Sequence, residues 1–405
     1  MRIIQVNKFY YLRGGAEKYL LQAEKELKSQ GHEVAVFAMK HPKNISSPYE
    51  KYFVSRVSFS EGGFINKVKA ARRLFWSREA KKKFTHLVKD FKPDIIHLHN
   101  IYHHLSPSIL KASQKYNIPV VMHLHDYKLI CPNYQLFTQN KYCERCRGGH
   151  YYNCYRYRCL KNSALKSALA SLAMFYHHSY LKIYEKNVNL LIAPSRFIKE
   201  TFTRFSWPED KIELLYNFSE EKYLQSPVIP EKDYILYLGR LSSEKGIDIL
   251  IRALSKTQLK LKIAGLGPEE DNLKKLSREL GLEDRIEFLG FKDGVEKDTL
   301  IAEAKAIVIP SIWPENMPFS LLEAMAKAKV VLVSLVGGLG ELIEDGINGF
   351  TFAPGSSQAI SDCLGKLETA DCQSIGLKAR DRVKDLEARD HFQSLEKIYR
   401  SLIKK

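Results

Sequence analysis

No run of this 405-residue chain stays uncharged for the ~18 residues that a membrane-spanning helix requires. No internal repeat or low-complexity segment occurs, which excludes solenoids and fibrous arrays. Zinc-finger, RNP and helix-turn-helix signatures are missing, so nucleic acid is not an expected partner. The opening Met1-Arg-Ile-Ile-Gln-Val reads as a first strand and not as a secretory leader, and a cytoplasmic protein is expected. Acidic residues are scarce in one half only. Residues 1–200 hold 13 Asp+Glu against 34 Lys+Arg, a net charge of +21, whereas residues 201–405 hold 33 against 29, a net of −4. A basic first half suits an anionic partner, and without nucleic-acid motifs the anionic inner face of a cell membrane is the candidate.

What is present belongs to a globular α/β protein. Hydrophobic residues make up 45% of the chain and aromatics 11%, and the length suits two domains of about 200 residues. Arg2–Asn7 reads as a strand, Glu17–Gln30 as a helix closed by Gly31, and Val34–Met39 as a second strand, which opens a βαβ alternation. The alternation restarts at Tyr234, after a connection spanning Lys211–Phe218 and the Pro-rich 226–230. The expected division is 1–215, with a Cys-rich insertion at 131–159, then 216–380, then a helix over 381–405 that crosses back to the first domain.

Four clusters carry chemistry. Ile309–Ala326 reads as a strand stopped at Pro310, a loop, and a helix with Pro318 in its first turn, where proline is tolerated. Glu315 and Glu323 bracket the helix start; eight helical residues advance by roughly 80° and about 12 Å, enough to serve two parts of one elongated ligand. Arg240 ends a strand and Lys245 follows in its loop, a pair of cations suited to a diphosphate. Gly14-Gly15 joins the first strand to its helix, a geometry that brings backbone N–H groups close to phosphate or sugar. His97 and His99 end one apolar strand; His123, His125 and Asp126 end the next, where parallel sheets carry their ligands. Taken singly, each is also an ordinary surface glutamate, surface cation, tight turn or structural histidine.

Together these clusters, with Gly337-Gly338 and Glu341 behind them, make the chain resemble glycosyltransferase family 4. The resemblance implies a GT-B fold: two Rossmann-like domains with parallel sheets facing a deep interdomain cleft. It implies a hexosyltransferase-type enzyme that moves a sugar, with retention of configuration, from a nucleotide sugar. A UDP-sugar is the first candidate, and the acceptor would be a glycan or lipid-linked glycan in cell-surface polysaccharide biosynthesis. Arg240 and Lys245 match the diphosphate pair, Glu315 lies near the donor sugar, Glu323 takes the ribose hydroxyls, and backbone N–H groups at Met317 and Phe319 face sugar or phosphate. Gly14 and Gly15 match the glycine loop facing the diphosphate. His125 matches the histidine close to sugar and acceptor, with His97, His99 and Asp126 as acceptor-side candidates. Catalysis would need no metal, the two cations replacing Mg²⁺. Pro318 stands where the family often has glycine and has no N–H to give. The alternative is a catalytically silent nucleotide-sugar-binding protein on the same fold.

Two stretches stand outside that frame. Cys143, Cys146, Cys154 and Cys159 form a Cys-x2-Cys-x7-Cys-x4-Cys array, open to a structural zinc, to reduced thiols or to disulfides. From Asn66 to Lys92 a cationic, Trp- and Phe-bearing stretch reads either as an interfacial helix or as a solvated helix face packed on the sheet. Lys161–Lys186 reads as helical, with Leu165, Leu169, Leu172, Phe175 and Tyr176 on its apolar side.

Overall fold

The computed structural model describes residues 1–57 and 64–404, and the side chains of 64–69 lie outside that description. Two six-stranded sheets, every pairing parallel, organise the chain. The first contains β1 (Arg2–Val6), β2 (Glu33–Phe37), β3 (Ile95–Leu98), β4 (Val120–His123), β5 (Leu190–Ala193) and β6 (Ile212–Leu214), in the order β2-β1-β3-β4-β5-β6. The second contains β7 (Ile235–Leu238), β8 (Leu261–Ala264), β9 (Ile286–Gly290), β10 (Ala306–Ile309), β11 (Val330–Ser334) and β12 (Phe350–Phe352), in the order β9-β8-β7-β10-β11-β12. Central strands such as Ile95-Ile-His-Leu and Val330-Val-Leu-Val-Ser are buried throughout. Helices cover both faces of such a sheet, so its strands carry continuous apolar runs and not alternation.

Each sheet reverses direction once, and the reversal decides where a ligand can sit. In the second sheet it lies between β7 and β10; in the first it lies between β1 and β3. Crossovers leave opposite faces at such a point, so a crevice opens beyond the carboxyl ends of the two strands. The Arg240–Lys245 loop follows β7 and the Glu315 loop follows β10. Gly14-Gly15 follows β1, and His99-Asn100 follows β3.

Two compact units result. One comprises Met1–Thr138, Cys143–Leu215 and Phe392–Lys405; the other comprises Gln139–Tyr142 and Tyr216–His391. The last helix, Ala388–Ile403, starts in the second grouping, and from Phe392 onward belongs with the first. There Phe392, Leu395 and Tyr399 are fully buried, and the Tyr399 hydroxyl lies 2.6 Å from His97 Nδ1.

Two sequence expectations change. The basic stretch forms two helices, Phe64–Phe75 and Arg78–Phe91, the second capped by Ser77 Oγ accepting from Ala80 N at 3.1 Å. Leu74, Phe84, Leu87, Val88 and Phe91 are buried, and Arg73 is buried against Glu79 at 2.7 Å. Most of the apolar side over 70–92 therefore packs inward, with Phe75 and Trp76 half-buried; the side chains of Asn66, Lys67, Val68 and Lys69 lie outside the described residues. Lys161–Lys186 is not one helix. An α-helix over Ala164–Met174 runs into a π-helical turn, Phe175–Tyr180, and Lys182 turns left-handed at φ 48°.

Candidate functional site

In the second unit the loop after β10 is locked to its neighbours by two glycines, Gly246 on the loop after β7 and Gly337 on the loop after β11. Gly246 sits at φ 66°, and a β-carbon there would lie 2.1 Å from the Pro310 carbonyl oxygen. Gly337 sits at φ 64°, and a β-carbon would lie 2.2 Å from the Glu315 carbonyl oxygen. Only glycine meets both demands, left-handed backbone and contact approach. Glu315 O also accepts from Gly338 N at 2.7 Å, and Glu244 O accepts from Ile312 N at 3.0 Å.

This scaffold brings Lys245 and Glu315 into contact. Lys245 Nζ is 2.5 Å from Glu315 Oε1, and Ser311 Oγ donates to the same oxygen at 2.6 Å. Ser311 is itself held by Ser334 Oγ, which donates to its carbonyl at 2.5 Å. Lys245 also lies over the Trp313 ring, 5.1 Å from its centroid. Arg240 is placed differently. Its carbonyl accepts from the Tyr237 hydroxyl at 2.9 Å, while its exposed guanidinium forms no ion pair among the described residues. One fixed, carboxylate-anchored cation and one open cation thus stand on the loop after β7.

Glu323 does not share a continuous helix with Glu315. The helix spans Phe319–Ala326 with Pro318 as its N-cap, so Glu315 belongs to the preceding loop and the eight-residue helical arithmetic does not apply. Glu323 is buried, and Lys297 Nζ holds its Oε1 at 2.8 Å. The Met317 carbonyl is fixed by Asn217 Nδ2 at 2.7 Å, and Phe319 packs on Phe218 with ring centroids 5.4 Å apart.

In the first unit the strand-end histidines gather around the buried Tyr19, whose ring centroid lies 4.2 Å from that of His123 and 5.6 Å from those of His99 and His125. His99 Nδ1 is 2.9 Å from His125 Nε2, and His99 Nε2 is 3.3 Å from Gln5 Oε1. With Gln5 Oε1 accepting from His99 Nε2–H, His99 Nδ1 accepts from His125 Nε2–H, which leaves His125 Nδ1 as an acceptor. Burial, and then the charge of Lys8, bring His125 down to about 3, so it is a neutral imidazole at pH 7. Asp126 accepts from Lys128 N at 2.9 Å; burial raises its carboxyl above the usual range against that bond and the nearby lysines. His97 pairs with Tyr399 and forms part of the packing. Gly14 is extended, and a β-carbon there would meet only Glu17 Oε2, at 3.7 Å. The fold itself does not demand glycine at 14, and the small residue leaves room above the loop.

Sequence reasoning missed Ser311, Lys297 and Lys8. Lys297 and Lys8 belong to no motif and reach their partners through the fold, whereas Ser311 lies inside the Ile309–Ala326 stretch, four residues before Glu315. A serine one residue past a strand-stopping proline was the only local hint for Ser311.

The cysteines are all free thiols. Cys154 hydrogen-bonds to the Cys159 thiol and pulls it down to about 6, with Thr138 and Arg145 helping against burial. Cys146 and Cys154 are held protonated, Cys146 by burial and neighbouring thiols, Cys154 first by its bond to Cys159. No group of three or more His, Cys, Asp or Glu side chains among the described residues is arranged to hold a metal ion.

Comparison with known proteins matches this architecture over both units. The model for Glycosyltransferase Family 4 covers residues 13–220, and that for glycosyl transferases group 1 covers 219–384. An uncharacterised glycosyltransferase of Methanocaldococcus jannaschii is 31% identical over 308 residues, 71% of this chain and 69% of its own. An amylovoran biosynthesis glycosyltransferase of Erwinia amylovora is 29% identical over 224 residues, 50% of this chain and 54% of its own. The crystal structure of Anabaena Alr3699/HepE in complex with UDP and glucose superposes with a TM-score of 0.70 at 20% identity, covering 99% of this chain and 100% of that one. The paired Rossmann-like sheets are thus those of a GT-B glycosyltransferase. Within that class the chain belongs to glycosyltransferase family 4.

Proposed function

We propose that this glycosyltransferase transfers a sugar from a UDP-sugar, with retention of configuration, to a glycan or lipid-linked glycan acceptor in cell-surface polysaccharide biosynthesis. The observation that carries the reading is the Lys245–Glu315 contact of 2.5 Å beside the open Arg240, at the point where the second sheet reverses. As the bond from the anomeric carbon to the diphosphate breaks, negative charge grows on the leaving oxygen. The anchored Lys245 and the open Arg240 are the cations that stabilise it without a metal. Glu315 orients Lys245 and faces the sugar, and Glu323, steadied by Lys297, takes the ribose hydroxyls. Met317 and Phe319 offer backbone groups at the helix start. On the first unit, Gly14 and Gly15 leave room for a diphosphate, and the neutral His125 accepts from a sugar hydroxyl, with His99 and Asp126 behind it. The UDP held by the Anabaena protein favours uracil as the base, and the E. amylovora relative favours a polysaccharide acceptor.

The test is nucleotide release from UDP-, GDP- and ADP-sugars. Slow hydrolysis of a UDP-sugar is expected, falling at least about 100-fold in Lys245→Ala and Glu315→Ala, the scale for losing one charge-stabilising group. Release from a GDP- or ADP-sugar alone would refute the choice of base. Nucleotide binding without release, with or without glycan acceptors, would favour a silent binder.

A further inference from the structure

The helix over Ala164–Met174 and its π-helical continuation are turned the wrong way round for a soluble surface. Their protein-facing side buries Ser167, Ala170, Ser171 and Met174. Leu165, Leu172, Phe175 and Tyr180 point outward, 71%, 56%, 53% and 72% exposed. Leu169 and Tyr176, half-buried, continue the same stripe. At 100° per residue these six positions fall within one face, so the exposed apolar groups form a single ridge.

Charge sets the occupant of that ridge. Between Glu144 and Glu185 the chain has no acidic residue, but it carries Arg145, Arg147, Arg156, Arg158, Lys161, Lys166 and Lys182. All seven are exposed, and among the described residues none forms an ion pair. Tyr152 and Tyr155, 61% and 54% exposed, lie in the same acid-free segment. Outward leucine and phenylalanine, flanking tyrosines and unopposed cations suit the headgroup–acyl boundary of a bilayer. A second copy of the chain would bring like charges together, and nucleic acid would leave the leucines without a role. We infer that this surface, residues 145–182 of the first unit, seats on a membrane rich in anionic phospholipid, with Leu165, Leu172 and Phe175 entering the interface.

Co-sedimentation of the full chain with phosphatidylcholine vesicles, with and without phosphatidylglycerol, tests it. Binding is expected on the anionic vesicles only and should weaken as salt rises. Each Lys or Arg near such a surface contributes about fivefold to partitioning, so Lys161→Gln/Lys166→Gln should cost about 25-fold. Leu172→Ser/Phe175→Ser should cost at least about tenfold. Circular dichroism checks that both variants keep their fold. Equal binding to neutral vesicles, or anionic binding that neither variant weakens, would overturn the inference. So would self-association that Leu172→Ser/Phe175→Ser abolishes in a chain that ignores vesicles. The assay uses no sugar nucleotide, so its failure is separate from a failure of the transferase reading.

Discussion

Among single residues, the Lys245–Glu315 pair concentrates the chemistry, because neither charge is well hydrated: their side chains are 20% and 7% exposed. Removing one partner strands the other, which costs more than the pair contributes. Lys245→Met is expected to lower unfolding free energy by about 2–3 kcal/mol, below the scale for fully buried pairs because Lys245 keeps some solvent. Glu315→Gln keeps an acceptor for Ser311 Oγ and should cost less. In urea denaturation the double variant should regain most of the loss suffered by Lys245→Met, while donor hydrolysis stays lost. Full recovery of hydrolysis in the double variant would mean that the pair only holds the loops. The sequence displayed both residues, since each sits in a motif. It could not display Lys297 as the partner of Glu323, because they lie 26 residues apart and meet only once strands have paired. Ser311 stands four residues before Glu315, inside the same stretch, but the loop geometry that turns its hydroxyl onto that carboxylate is not written in the spacing.

At the scale of elements, strands and loops were more legible than orientation. Strand-loop-helix order and the restart at Tyr234 follow from local composition, and the structure has both, although Pro318 caps the helix from outside and does not sit in its first turn. Direction does not. The 3.6-residue period marks Leu165, Leu169, Leu172 and Tyr176 as one face, but it cannot say whether that face meets the protein or the solvent. Conversely, the cationic stretch up to Lys92 packs most of its apolar side inward, because its partners on the sheet are far away in sequence. Loop locking is an element-scale property with its own test. Gly337→Ala puts a β-carbon 2.2 Å from Glu315 O and 2.6 Å from Glu315 N at a left-handed position. The strain and the clash should cost about 2 kcal/mol or more and move Glu315 off Lys245. Calorimetry should then show weaker nucleotide binding together with a lower Tm; wild-type affinity would mean that the two loops are positioned independently.

For the molecule as a whole, burial of neutral histidines ties stability to pH. Burial brings His104, with Lys8, Arg13 and Arg73 adding to the effect, down to about 3, and His125 likewise. His391 falls to about 3 although the Tyr216 carbonyl opposes it, and His177 to about 4 although the Phe75 carbonyl opposes it. In the unfolded chain each returns to about 6.5. Below that value the unfolded state binds protons that the folded state refuses until pH 3–4. Unfolding therefore takes up protons in the window from about 6.5 to 4, and stability falls as pH falls through it; above 6.5 these groups contribute no slope. The two most enclosed, His177 and His391, should each add about 1.4 kcal/mol per pH unit near pH 5, and the other two act in the same direction. Urea denaturation between pH 5 and 7 measures the slope. His391→Asn can still donate to the Tyr216 carbonyl, which now accepts from Nδ1 at 2.8 Å, yet has no proton to gain. Its slope should be shallower by about one proton, with stability at pH 7 little changed. An unchanged slope would mean that His391 is protonated in the folded protein, and that the carbonyl outweighs burial.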